Sequence, residues 1–326
     1  MILAIETSCD DTCAALVSAD GTIAANVISS QEAHNRFGGV VPEVAARAHL
    51  ELIGHVIGEA FARAQASIDD VELVAATRGP GLVGALLVGF ATAKALAAAR
   101  ELPFAPVDHL AGHVAVAYLR PAAFDPPFVA LIASGGHTLL LGVSDRGAPP
   151  EILARTLDDA AGEAFDKGAR MLGLGYPGGP ALERLAADGD PLAYDFPSGR
   201  GEDFSFAGLK TALLYKTRDV KLDSDQVRAD LAASYQRAIV EALVRRVERG
   251  LARTGLHRLA LGGGVAANGA LRSRLGELDA DLFLPPIELC TDNAAMIASA
   301  AREVEALVYP SYLDLDVYAT GEGPLR

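Results

Sequence analysis

The sequence predicts an α/β protein of two similar lobes. Three observations carry that expectation. A strand, small polar turn and second strand begin at Ile2 and recur at Phe128; helical segments follow each copy; and a later strand in each half runs into glycines. A chain of 326 residues also exceeds a comfortable single core, so two domains are the default.

In chain order, Ile2-Leu3-Ala4-Ile5 reads as a buried strand, Glu6 to Thr12 as a polar turn, and Ala14 to Val17 as an antiparallel strand closed by Asp20-Gly21. Residues 43–65 carry helical apolar spacing, and Val71 to Thr77 reads as a strand. Arg78-Gly79-Pro80-Gly81 then opens an alanine-rich helix over roughly 85–99. Leu102-Pro103-Phe104 suggests a loop running into a mostly apolar helix that holds His109 and His113. The second copy is Phe128 to Ala133, Ser134 to Thr138 and Leu139 to Val143, with a turn at Asp145-Arg146-Gly147. Leu259-Ala260-Leu261 is the later strand, leading through Gly262-Gly263-Gly264 to a helix-like stretch from Asn268 to Leu275. Lobes are expected over residues 1–106 and 107–326, with a surface insertion near 187–205.

Hydrophobic residues at 51% and charged residues at 21% describe an ordinary globular chain, and no window approaches a membrane span. The formal net charge of −14 excludes uniform attraction to a polyanion, so any nucleic-acid contact needs a local basic patch or a partner. Three cysteines do not make a disulfide framework. Met1 to Ile5 is too short for a secretory signal core, and together these point to a reducing cytoplasm.

His109 and His113 are four residues apart, so on a helix both imidazoles face one side and could reach one cation. A metalloprotease helix would need His-Glu-x-x-His; Leu110 stands where that general base belongs, which disfavours peptide hydrolysis. Asp292, near a helix start at Cys290 to Met296, is either a cap or a hard oxygen ligand completing a His, His, Asp set.

Ser134-Gly135-Gly136 is either a tight hairpin needing positive φ or a backbone cradle for phosphate. Gly262 to Asn268 adds a helix N-terminus, with Asn268 as cap or ligand contact. Neither loop matches a Walker or dinucleotide pattern, but together they favour a nucleotide. Asp158 to Lys167 holds four carboxylates: either a solvated helix face with a Glu163–Lys167 pair, or a set with Asp159, Glu163 and Asp166 on one face, one of them contacting ribose or an amino acid. Tyr176 to Pro180 is a sharp turn. Arg245, Arg246, Arg249, Arg253 and Arg258 form either a solvated helix face or a basic face for RNA.

These stretches, in this order, resemble the tRNA N6-adenosine threonylcarbamoyltransferase family. The resemblance runs through Ile5 to Thr12, His109 to His113, Ser134 to Thr138, Asp158 to Lys167, Tyr176 to Pro180, Gly262 to Asn268 and Cys290 to Met296. It implies a duplicated actin-like, sugar-kinase-like (ASKHA) two-lobed fold with its ligand in an interlobe cleft. The reaction it implies moves a threonylcarbamoyl group from threonylcarbamoyl-AMP to N6 of the adenosine 3′ of the anticodon.

By resemblance, His109, His113 and Asp292 bind the metal, Fe2+ with Zn2+ as the alternative. Ile132, Ala133, Ser134, Gly135, Gly136, Asp166, Gly179, Glu183 and Asn268 bind the acyl-adenylate. Beyond the resemblance, Asp10 or Asp11 is expected to help activate the N6 amine. Glu183, Ala207, Ala46 and Ala48 depart from the residues usual in the family. The partners implied are tRNA, an inactive paralogue forming a heterodimer, and a small ATPase. Two other readings stand beside the transferase. A small-molecule kinase or ATPase of the same fold needs no metal triad, and a non-catalytic scaffold is disfavoured by the presence of all three ligand candidates.

Overall fold

The computed structural model describes residues 1–319 except 198, 200, 221 and 223, with the side chains of residues 35 and 36 also left aside. The strands are β1 Ile2–Glu6, β2 Asp11–Val17, β3 Ile23–Ser30, β4 Leu73–Gly79, β5 Phe104–Asp108, β6 Phe128–Ala133, β7 Thr138–Val143, β8 Glu151–Arg155, β9 Arg258–Gly262 and β10 Asp281–Phe283. The helices are α1 Pro42–Ala64, α2 Val83–Ala99, α3 His109–Ala115, α4 Ala161–Met171, α5 Gly178–Ala186, α6 Ala207–Asp219, α7 Asp225–Thr254, α8 Gly269–Leu275 and α9 Ala294–Ala301.

Two five-stranded sheets have the same topology. The first runs β3-β2-β1-β4-β5 and the second β8-β7-β6-β9-β10. In each, the opening strand pairs antiparallel with the next (β1 with β2, β6 with β7) and parallel with the later Gly-ended strand (β1 with β4, β6 with β9). The duplication expected from the repeated figure is therefore present strand for strand. β1 and β6 are buried throughout, as central strands covered on both faces must be, which is why they read as unbroken apolar runs.

The chain forms two compact units, one of Met1–Asp125 with the described chain from Asp292 on, the other Pro126–Thr291. This differs from the expected division at 106/107. Residues 107–125 stay with the first sheet because α3 follows its edge strand β5, and α9 returns to pack on α3, β1 and β2. The first core gathers Leu3, Ile5, Leu16, Phe90, Phe104 and Tyr312; the second gathers Leu131, Phe165, Phe204, Tyr235 and Leu261.

The expected loop before His109 is in fact β5. Its Pro106 is compatible with a strand because β5 is the sheet's edge, where a missing N–H breaks no inner ladder. Most described residues of 187–197 are exposed, whereas Phe204 is fully buried; Ser198 and Arg200 of that expected insertion lie outside the described residues. Among the described residues no helix is long and apolar enough to cross a membrane.

Candidate metal centre and nucleotide loops

Asp108 ends β5 and caps α3, its Oδ1 accepting the N–H groups of Leu110 at 2.9 Å and Ala111 at 3.0 Å. That cap fixes the first turn, so His109 and His113 present buried rings on one face with centroids 4.8 Å apart. Asp292 meets both: its Oδ1 stands 3.5 Å from His109 Nε2 and 3.3 Å from His113 Nε2. The cap of α9 is Asn293, whose Oδ1 accepts the Met296 N–H at 2.9 Å, so the carboxylate of Asp292 is turned to the histidines instead. Candidate ligand atoms of the three residues all lie within 4.8 Å of one another.

The donors fit a cation. Both ring nitrogens of His113 are buried without a hydrogen-bond partner. Leaving such a group unpaired costs about 1–3 kcal/mol, and an ion held by Nε2 supplies the missing partner there. The set of two imidazoles and a carboxylate suits a divalent ion of borderline softness.

Behind His109 stands Glu6, a residue to which sequence reasoning gave no role. It closes β1 and is fully buried; Oε2 lies 3.0 Å from His109 Nδ1 and accepts the Thr77 hydroxyl at 2.5 Å, while Oε1 accepts the Ser8 N–H. The Ser8 hydroxyl is 3.2 Å from the same Nδ1. A carboxylate on Nδ1 holds the proton there and leaves Nε2 for a metal. The signal in the sequence was an acid ending an otherwise apolar strand.

Burial by itself lowers the His109 pKa, but the carboxylates of Asp292 and then Glu6 outweigh it and raise the pKa to about 9. The metal-free imidazole is therefore protonated at neutral pH, and metal binding at Nε2 must release that proton. Asp11, the first residue of β2, is raised to about 7, first by burial and then by the charge of Asp292, with a hydrogen bond from Ser30 opposing. Asp10 precedes it in the turn, its carbonyl accepting the Gln31 N–H at 3.1 Å. Burial pushes the thiols of Cys9, Cys13 and Cys290 up, which keeps them protonated.

In the second unit the carboxyl ends of β6 and β9 lie side by side, Ile132 pairing with Gly262. Ligands of α/β sheets bind at such ends. The turn Ser134-Gly135-Gly136 is closed by the Ser134 N–H donating to His137 O at 2.8 Å and by the Gly162 N–H donating to Ser134 O at 3.0 Å. Neither Gly135 nor Gly136 has positive φ, and a Cβ on either would meet nothing within 4 Å. The hairpin does not require these glycines, whereas a closely approaching ligand would. Gly263 is the opposite case, with φ +86° and its Cβ position 2.3 Å from Ala133 O.

The other predicted contacts fall into two hydrogen-bonded groups. Asp166 Oδ1 accepts the N–H groups of Gly178 at 2.8 Å and Gly179 at 3.2 Å. Glu183 Oε1 accepts the Gly269 N–H at 2.7 Å; beside it Asn268 caps α8 through Leu271 N at 2.9 Å and donates to Gln236 Oε1 at 2.9 Å. Asp159, Glu163 and Asp166 do not act as one face. Asp159 and Glu163 both hold Lys167, at 2.9 and 2.8 Å, while Asp166 turns to α5. Asp158 instead caps α6 through the Phe206 and Ala207 N–H groups.

The arginine stripe is largely occupied. Arg246 is buried and donates to Gly199 O and Asp203 O, Arg249 to Gly201 O; Arg253 pairs with Glu151 and Arg258 with Asp281. Arg246, Arg249 and Arg253 thereby tie Gly199, Gly201, Asp203 and β8 to α7, while Arg258, on β9, pairs across to β10.

Comparison with known proteins gives a consistent picture. Residues 22–299 match the family profile described as TsaD, tRNA N6-adenosine threonylcarbamoyltransferase. A protein of that name from Gloeobacter violaceus is 50% identical over 322 residues, 97% of this chain and 94% of its own length. One from Thermotoga neapolitana is 46% identical over 326 residues, covering 97% and 98%. Among solved structures, component A of (R)-2-hydroxyglutaryl-CoA dehydratase from Acidaminococcus fermentans shares the fold at 15% identity and TM-score 0.52, covering 92% of this chain and 95% of that one. HypF from T. kodakarensis does so at 17% identity and TM-score 0.58, covering 92% of this chain and 47% of its own.

Proposed function

The chain belongs to the tRNA N6-adenosine threonylcarbamoyltransferase family, and we propose that it moves the threonylcarbamoyl group of threonylcarbamoyl-AMP to N6 of the adenosine 3′ of the anticodon. The observation that carries this reading is the 46–50% identity to relatives of that name over nearly the whole of both chains. No such relative supports a small-molecule kinase of the same fold.

His109, His113 and Asp292 are the residues we assign to a metal ion. Two histidines and one carboxylate suit Fe2+ with open coordination positions, and Zn2+ accepts the same donors. Bound there, the ion supplies Lewis acidity toward an oxygen of the acyl donor. Glu6 holds His109 in the tautomer that leaves Nε2 unprotonated.

The backbone of Ile132, Ala133, Ser134, Gly135 and Gly136 is assigned to the adenylate, supported by the open face of the two glycines. Asp166 acts by fixing the turn at Gly179, and Glu183 by fixing the start of α8 beside Asn268. As the N6–carbonyl bond forms, AMP leaves with the electron pair of the broken C–O bond, and the amine proton needs an acceptor. Asp11 is that acceptor, because a carboxylate poised near 7 both takes and releases protons at neutral pH. Asp10, beside it in the turn, is the second candidate for the same role. The resemblance further assigns the chain an inactive paralogue and a small ATPase as partners, and the three free cysteines fit a cytoplasmic setting.

Incubating the protein and those partners with threonylcarbamoyl-AMP and unmodified tRNA tests the proposal by mass spectrometry of the digested nucleosides. Threonylcarbamoyladenosine is the expected product; its absence with active donor present would refute the reading.

A further inference from the structure

A second place in the molecule buries a polar nitrogen without a partner. Among the described residues only His113 and Arg237 do so, and Arg237 Nε is far in sequence from the metal ligands, in the second unit. The residue Arg237 also lines a small cleft of about 50 Å³ together with Phe196, Pro197, Glu241 and Arg245. At about 10–15 Å³ for each water-sized group, that space holds three to five, enough for the oxygens of one phosphate.

Arg237, Glu241 and Arg245 are successive i, i+4 positions on α7, so they share one face. Glu241, the acid between the two cations, is already held by Arg274 at 3.0 Å. Arg245 makes no hydrogen bond or ion pair among the described residues, and the nearest acid to Arg237 is fully exposed Asp195 at 4.0 Å. Lys216 adds a third cation, lying 5.5 Å from the Phe196 ring centre and 5.6 Å from that of Tyr194. Cations interleaved with aromatic rings are the composition of surfaces that track a nucleic-acid strand. The setting is otherwise acidic, with a net charge of −14, so a polyanionic substrate must be held at local sites such as this.

We propose that Arg237 and Arg245 clasp a backbone phosphate of the tRNA substrate in this cleft, with Phe196 and Lys216 flanking the strand. Of the arginine stripe suggested by sequence, only Arg245 belongs to this site. The inference rests on the proposed function, since that reading supplies the RNA.

The test measures binding of fluorescently labelled unmodified tRNA to the full chain between 50 and 200 mM KCl. An R237A/R245A variant, shown folded by an unchanged circular-dichroism spectrum, should bind roughly tenfold more weakly. The slope of log affinity against log salt should fall by about 0.7–0.9, the value for one lost phosphate contact. R237K/R245K, which keeps the charge but loses the guanidinium fork, should recover the slope and only part of the affinity. Unchanged affinity and slope in R237A/R245A would overturn the proposal. So would a site that takes only inorganic phosphate, seen as a calorimetric signal lost in the variant with tRNA binding intact. A wild type that binds tRNA without modifying it would count against the proposed function and leave this site standing.

Discussion

Replacing Glu6 with Gln probes the one buried carboxylate that stands behind a proposed metal ligand. Glu6 Oε2 is 3.0 Å from His109 Nδ1, and Oε1 accepts the Ser8 N–H. In Glu6→Gln, an amide NH2 placed against His109 forces Nδ1 to accept, which moves the ring proton to Nε2, the atom aimed at Asp292. The flipped amide sets two donors, its NH2 and the Ser8 N–H, against each other. Either way the orientation is lost, and partners of this kind contribute about 10- to 100-fold in metal affinity, or roughly 1.4–2.7 kcal/mol.

Proton competition works in the other direction. With a metal-free pKa of about 9, wild-type His109 must shed a proton, so its apparent affinity rises about tenfold per pH unit between 6.5 and 8.5. Without Glu6 that pKa falls and the slope flattens. The deficit of the variant should therefore be small near pH 6.5 and approach its full size at pH 8.5. Chelator-buffered zinc titrations at several pH values read both quantities. A variant that binds with wild-type affinity and wild-type slope throughout would refute the assignment of Glu6.

Three further variants test the geometry. Asp11→Asn should lower threonylcarbamoyl transfer by about 100-fold or more and remove a rise in rate with pH, since only the deprotonated carboxylate accepts a proton. Asp11 also costs the fold stability as pH rises: its raised folded pKa favours the neutral form, so stability falls between about pH 4 and 7, and Asp11→Asn should flatten that part of a melting-temperature profile. Gly135→Ala should leave the melting temperature unchanged while weakening acyl-adenylate binding. Gly263→Ala, strained at φ +86° and driven into Ala133 O, should cost roughly 1–3 kcal/mol by denaturant titration.

Much of this architecture was legible because periodicity and chemistry agreed. The apolar runs at β1 and β6 have the length of buried strands, and each is followed by a small-residue turn, so the duplication shows in one dimension. The His-x-x-x-His spacing by itself puts two rings on one helix face. Other features depend on contacts distant in sequence. Leu102-Pro103-Phe104 reads as a loop because nothing local reveals that Phe104 opens an edge strand. Glu6 became visible as a positioning residue only when β1 and α3 were brought together, 103 residues apart. The arginine stripe looked continuous because helical spacing cannot tell a solvated guanidinium from one that, like Arg246, is buried against backbone carbonyls. Asp166 and Gly179 were separate candidates by sequence, and the fold joins them in a single hydrogen bond.

The most direct measurement pairs metal content with transfer in the same preparations of wild type and Asp292→Ala. Asp292 is the carboxylate whose oxygen lies within 3.5 Å of both histidine Nε2 atoms. The account predicts one tightly held ion per wild-type chain and threonylcarbamoyladenosine in the tRNA digest, with both lost in the variant. A variant that retained its ion and its transfer rate would contradict it.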